Sequence, residues 1–392
     1  MKQSLYLALK YLGYYKSRTI ILVCSIGLLL YLPMGLQRLI NESELRMMAR
    51  AEASPLIVGS KGNATDLVIN TLYFEQTKID ELKYSYRIEL NDSGLGYSIP
   101  IISVFNARKV PIIGTNLDYF LFRNLNVAKG RNLQYVGECV LGSKVAEDLT
   151  LKVGDSLVSS PENFLDLAGV YPLQMRVVGI LETANTPDDN AIFTDLKTNW
   201  IIMGLGHGHQ DLQKVTDPSL ILKKDSTNVT ASAKLFIYNE VDGKDPESFH
   251  FHGNMDDYPI TSILFIPNDH KSETLLRGRF ETGELKEQII VPTVIVDNLL
   301  QNIFRIKQAF STVFILVGIA TLFILGLIVT LSLRLRKDEI NTMFVIGSSK
   351  NKIFKIVGAE LLISVLLSLL FASFLYSMTG LFVEEFIQQF II

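Results

Sequence analysis

The chain has 392 residues, of which 48% are hydrophobic, and a formal net charge of −3. That balance points to a membrane protein with a large water-soluble part, and it offers no basic field for nucleic acid. Two cysteines, Cys24 and Cys139, are too few for a disulfide framework, and Cys24 sits in an apolar run.

Residues 1–18 carry Lys2, Lys10, Lys16 and Arg18 and no acid. Leu5, Leu9 and Leu12 give this stretch the pattern of an amphipathic helix lying on the inner membrane surface. Thr19–Leu36 is then apolar for about 18 residues, just enough to span a bilayer. We place a first transmembrane helix at 19–40. A cleaved signal peptide ending near Ala49-Arg50-Ala51 is the competing reading. The apolar run is too long for it, and the site lies too far beyond the run. The basic flank puts the N-terminus in the cytoplasm and residues 41–307 outside.

Residues 41–307 suffice for one or two compact domains. Glu42–Ala51 is expected to extend the first span as a stalk helix. Short β-like runs follow, among them Pro55–Gly59, Ile101–Phe105, Val110–Gly114, Glu138–Gly142, Gln174–Leu181, Leu220–Leu222, Ala233–Tyr238, Ile260–Ile266 and Gln288–Val291. Helical patterns lie between them at Thr65–Phe74, Ser143–Leu149 and Thr293–Arg305, so the class is α+β. Val140–Leu157 reads as strand, helix, a tight turn at Gly154-Asp155, and strand. All five histidines fall between His207 and His270. His207 and His209, with His250 and His252, form two H-x-H pairs that could supply imidazoles to Zn²⁺, with Asp211, Asp256 or Asp257 adding oxygen. Solvated loop histidines are the other reading.

Thr293–Arg305 continues without a strong breaker into Ala309–Leu333, so a second stalk leads into a second span at 308–333. A third span is expected at 356–382, followed by a short interfacial tail at 383–392. Between the last two spans lies a basic connector, 334–355. Such a loop stays in the cytoplasm. Ile340, Met343, Phe344 and Ile346 recur at helical spacing, Gly347 breaks or caps that helix, and Ser348-Ser349 can begin the next. An amphipathic surface helix and a solvated basic loop both fit this pattern. Glu360 is the ionisable residue near the inner edge of the third span. It either pairs with Lys352 or Lys355 or takes part in coupling.

No P-loop, HExxH or GxSxG motif occurs, so the chain is not expected to be an enzyme or to hydrolyse ATP itself. Spans almost free of charge also argue against a secondary transporter or pump.

The connector Arg336-x-x-Glu339-Ile340-x-x-Met343-x-x-Ile346-Gly347-x-Ser349-x-x-x-Ile353 resembles that of MacB/FtsX-type ABC transporter permeases, with Phe344 replacing the usual basic residue. Val140–Leu157 resembles the "LGSKVAEELGLKVGD" element of the MacB-type periplasmic domain, and Ile113–Phe120 and Val177–Leu181 resemble two of its other steps. The resemblance implies an α-helical membrane protein of the mechanotransmission type, with three transmembrane helices, stalk helices and a MacB-like α+β domain. It places the coupling helix, which docks on a cytoplasmic ABC ATPase, at Arg336, Glu339, Ile340, Met343, Ile346 and Gly347, with Glu360 beyond. It further implies a homodimer in a bacterial inner membrane, with ATP on the partner subunit. Export or extraction of a lipoprotein, peptide or lipid would follow, with membrane lipid and a periplasmic adaptor or substrate-binding protein as further partners. A His-rich insertion after Thr198–Trp200 links some similar permeases with zinc. The alternative function is therefore a zinc-linked periplasmic metal-binding or sensing membrane protein, or the permease of a zinc-associated system.

Overall fold

The computed structural model describes residues 2–160, 172–208, 221–224, 229–231, 239–240, 249–251, 253–282, 285–335 and 337–390. Its helices are α1 (Lys2–Tyr14), α2 (Lys16–Glu52), α3 (Ala64–Tyr73), α4 (Ser85–Asp92), α5 (Leu117–Phe122), α6 (Ser143–Asp148), α7 (Leu196–Ile202), α8 (His270–Thr282), α9 (Pro292–Leu335), α10 (Lys337–Val345) and α11 (Lys350–Phe390). The chain divides into two units. Met1–Leu45 with Leu299–Ile391 form one, and Arg46–Asn298 the other.

The first unit is helical. Among the described residues, α2 and the Asn351–Gly380 part of α11 are long and apolar enough to cross a membrane. They pack closely through small residues: Ser364, Ser368 and Ala372 are buried, and a Cβ on Gly27 would lie 2.6 Å from the Phe371 ring. Polar contacts fix their register. The Tyr31 and Thr379 hydroxyls are 2.6 Å apart, and Arg38 donates to the Tyr376 carbonyl at 3.2 Å while its guanidinium lies 4.8 Å from that ring. The expected second span lies within α9, where the described apolar stretch, Thr312–Ile324, is shorter than a spanning helix. Among the described residues two candidate spans stand, and the third expected span is not shown. The expected boundary between third span and tail also corresponds to no break, because α11 runs on to Phe390. Nothing between Phe382 and Phe390 is a helix breaker, so helical propensity carries through.

The second unit is the α+β domain. Its main sheet has eleven strands and runs Asn239–Glu240, Leu173–Leu181, Glu138–Leu141, Ile192–Asp195, Val110–Thr115, Gly96–Ala107, Ser262–Pro267, Leu56–Ser60 and Glu287–Ile290. Val127–Gly130 and Ser156–Val158 both pair with Leu173–Leu181. The long strand Gly96–Ala107 is buried on both faces over much of its length, which is why YSIPIISVF reads as a near-continuous apolar run. It contributes to two cores. Phe105 packs with Ile112, Leu141, Val145 and Met175, and Ile102 packs with Val58, Trp200, Ile263 and Phe265. Helix α7 also serves both, with Trp200 in one and Ile201 and Ile202 in the other.

The Val140–Leu157 motif folds as expected. Gly154 takes φ +99, which favours glycine, and the Lys152 amide donates to the Asp155 carboxylate at 2.8 Å. Helix α8 has no counterpart among the sequence expectations, because HKSETLLRGRFET is polar and shows little apolar stripe. The expected strand Ala233–Tyr238 lies outside the described residues.

Candidate coupling segment and domain anchor

The connector is a helix, a glycine cap and a second helix. Helix α10 ends with the Gly347 amide donating to Phe344 at 2.9 Å and the Ser348 amide donating back to Met343 at 2.9 Å. Gly347 itself takes φ +94. This is the left-handed cap in which a glycine reverses the chain while satisfying the last carbonyls. The Lys352 amide then donates to Ser349 at 3.0 Å and opens α11.

Of the predicted coupling residues, Ile340 and Met343 are half-buried, and Ile346 is 79% exposed. Glu339 lies in α10, and Arg336 falls outside the described residues. Two apolar side chains that the motif did not single out are as open as Ile346: Val345 at 87% and Phe354 at 80%. Their signal in the sequence is only their apolar character within a basic connector. Glu360 lies in α11 one turn before Ser364, whose hydroxyl donates to the Glu360 carbonyl at 2.9 Å.

In the α+β unit, the last turns of α2 are held by a buried polar cluster. Arg50 donates to both carboxylate oxygens of Asp188, at 2.6 and 3.0 Å, to the Tyr119 hydroxyl at 2.9 Å and to the Leu72 carbonyl at 3.2 Å. The Tyr119 hydroxyl in turn donates to Asp188 at 2.6 Å, and Thr186 does so at 2.9 Å. Arg50 is 6% exposed and Asp188 1%, so the pair lies out of water and its geometry is fixed from both sides. Burial pushes the Asp188 carboxyl up, but the charge and hydrogen bonds of Arg50 outweigh it and hold the group below the usual carboxylate range. Burial raises the Tyr119 phenol, so it stays protonated and donates. A second arginine, Arg123, reaches the Ser54 hydroxyl at 2.7 Å and the Ala53 carbonyl at 3.3 Å, just past the end of α2. Tyr73 donates to the Met47 carbonyl at 2.7 Å.

The expected metal ligands are only partly placed. Strands Gly206–Gly208 and Phe249–Phe251 pair antiparallel, with His207 directly opposite His250. His209 and His252 fall outside the described residues. Among the described residues no group of three or more His, Cys, Asp or Glu could hold a metal ion. The adjoining Thr198–Trp200 element is structural. Thr198 is fully buried and accepts the Gly137 amide at 2.8 Å, and the Trp200 indole donates to the Pro259 carbonyl at 2.9 Å.

Two long apolar helices with a large α+β domain between them in sequence fit a membrane protein. Residues 46–234 match the family model of the MacB-like periplasmic core domain. That stretch of the chain is similar to the periplasmic core domain of MacB-type ABC transporter permeases. Solved structures with a similar fold include the periplasmic region of MacB from Actinobacillus actinomycetemcomitans, at 13% identity and a TM-score of 0.35, covering 63% of this chain and 92% of that one. The extracellular domain of the ABC-type transporter YknZ from Gram-positive bacteria is another, at 11% identity and a TM-score of 0.33, covering 60% of this chain and 98% of that one. Comparison with curated proteins gives no match.

Proposed function

We propose that this chain is a permease of the MacB/FtsX type of ABC transporter, which works as a homodimer on two cytoplasmic ABC ATPase subunits in a bacterial inner membrane and transmits their ATP-driven motion to its α+β domain. The N-terminus and the connector face the cytoplasm, α9 supplies a further span, and residues 41–307 lie in the periplasm. There the domain exports or extracts an envelope substrate such as a lipoprotein, peptide or lipid, with an adaptor or substrate-binding protein as partner. ATP hydrolysis belongs to the partner subunit. The observation that carries this reading is the MacB-like core domain at 46–234, whose match begins within α2, a helix that also contains the first apolar span. The capped connector supports it by offering Ile346, Val345 and Phe354 as an exposed apolar surface.

The test is co-purification. Ile340→Asp with Met343→Asp is expected to abolish recovery of the cognate ATPase with the full-length permease, while the variant still inserts in the membrane. Undiminished recovery would sink the docking face.

A zinc site is a separable second proposal, resting on the cross-strand register of His207 and His250. Zn²⁺ titration calorimetry of the full chain, beside a variant with His207, His209, His250 and His252 changed to alanine, decides it: heat that survives in the variant ends the proposal. The domain match favours the permease over a free-standing metal sensor.

A further inference from the structure

The turn Pro187–Asn190 receives the end of α2 on one side and the start of α6 on the other. Asp188 takes Arg50 and Tyr119, as described. Its neighbour Asp189 accepts the Ser143 hydroxyl at 3.0 Å and the amides of Ala184 and Asn185 at 2.9 and 2.6 Å. Gly142 closes against the same turn. Its amide donates to the Ala191 carbonyl at 2.9 Å, and a Cβ there would lie 2.3 Å from the Asp189 carbonyl oxygen and 2.4 Å from that of Asp188. Only glycine permits this approach. Gly142 and Ser143 begin α6 within the Val140–Leu157 motif, and α6 carries Val145 and Ala146 into the core around Met175 and Ile192.

Two adjacent buried carboxylates on one short turn thus bind two different elements. We propose that Arg50, Asp188, Tyr119 and Asp189 form a rigid joint that passes displacement of α2 to the Gly142–α6 element. Arg50 is its positioning residue. The inference rests on the reading that α2 moves during transport, and it adds where that movement enters the domain. A joint of this kind needs directional bonds, because apolar packing alone resists sliding and rotation weakly. Charge-assisted bonds from one guanidinium to a carboxylate, a phenol and a carbonyl supply three directions at once.

The experiment separates bonding from mere stability. Spin labels are placed at Glu52→Cys, the last residue of α2, and Glu147→Cys on α6, both exposed, in full-length permease reconstituted in nanodiscs with Cys24→Ser. Cys139 is buried and burial pushes its thiol up, so it stays unlabelled. Arg50→Met with Asp188→Leu replaces the buried pair by apolar side chains of similar size, a change that commonly preserves stability. Wild type is expected to give one narrow distance population, the same without nucleotide and after ATP–vanadate trapping with the co-purified ATPase. The double variant is expected to keep its melting temperature, lose the narrow population and become nucleotide-dependent. Tyr119→Phe, which removes one bond of the joint, is expected to broaden the population partway, and it gives a reading should the double variant not fold. A wild-type width in a folded double variant, or in Tyr119→Phe alone should the double variant fail, overturns the joint. Failure to recover any ATPase counts against the proposed function instead, and the nucleotide-free widths still decide the joint.

Discussion

Two long helices attach to the α+β domain, and they do so by different chemistry. The last turns of α2 are held by Arg50, Tyr73 and Arg123 through bonds to named atoms. The first turns of α9 bury Pro292 and Val296, one turn apart, and leave the side chains of Val294, Asp297 and Asn298 exposed. Proline at the first helical position fits an α9 that needs no donor there. The α2 end is thus fixed in direction and register by these bonds, whereas the α9 start also buries an apolar stripe. Apolar burial is non-directional.

The strongest way to break the comparison is Arg50→Met. It leaves the Asp188 carboxylate buried without its cation, which costs about 3–5 kcal/mol. That is a large part of the stability of a typical domain, about 5–15 kcal/mol in all. Thermal unfolding of the full chain, followed by near-ultraviolet circular dichroism, should show the loss. The same pair sets a pH dependence. Because the folded Asp188 pKa lies below its unfolded value, its contribution is present above the ordinary carboxylate pKa and is lost as pH falls through the folded one. Wild type should therefore lose stability on acidification below that range. Asp188→Asn should flatten this acid limb; an unchanged limb would mean that other carboxylates set it.

The ends of this comparison were unequally legible in the sequence. The α9 stripe could be read, because Thr293–Arg305 shows helical spacing and runs on without a breaker. The capped connector could be read too, since Gly347 followed by two serines has few other uses between helices. The anchor could not. Arg50 and Asp188 are 138 residues apart, and nothing local to Ala49-Arg50-Ala51 marks the arginine as buried. In sequence it served only as part of a weak cleavage-site pattern. Proline followed by two adjacent acids at 187–189 was the one available signal, and without its partner it reads as an ordinary polar turn. Periodicity reports which face is apolar. It does not report which distant charges meet, and for that reason the polar joint emerged only from the fold.

A smaller effect is expected at the other helix. Val296→Ala removes two buried methyl groups and should cost roughly 2 kcal/mol from lost transfer energy and the cavity left behind. The cost should be independent of pH in the acid range, because the methyl groups removed do not titrate. An acid-dependent loss at Val296 would show that the α9 start is coupled to the polar cluster and would weaken the distinction between the two attachments.

The smallest effect tests the edge of the α2 anchor. Tyr73→Phe deletes the bond to the Met47 carbonyl. That carbonyl belongs to a helix interior and keeps its own helical donor, so no buried acceptor is orphaned. The expected cost is therefore that of one neutral hydrogen bond, about 1 kcal/mol. The ring stays in place and its burial is retained. A cost as large as that of Arg50→Met would mean that Tyr73 shares in the charged cluster. The anchor would then extend another turn back along α2, from Arg50 to Met47, and the directional character now assigned to Arg50 would belong to the whole end of the helix.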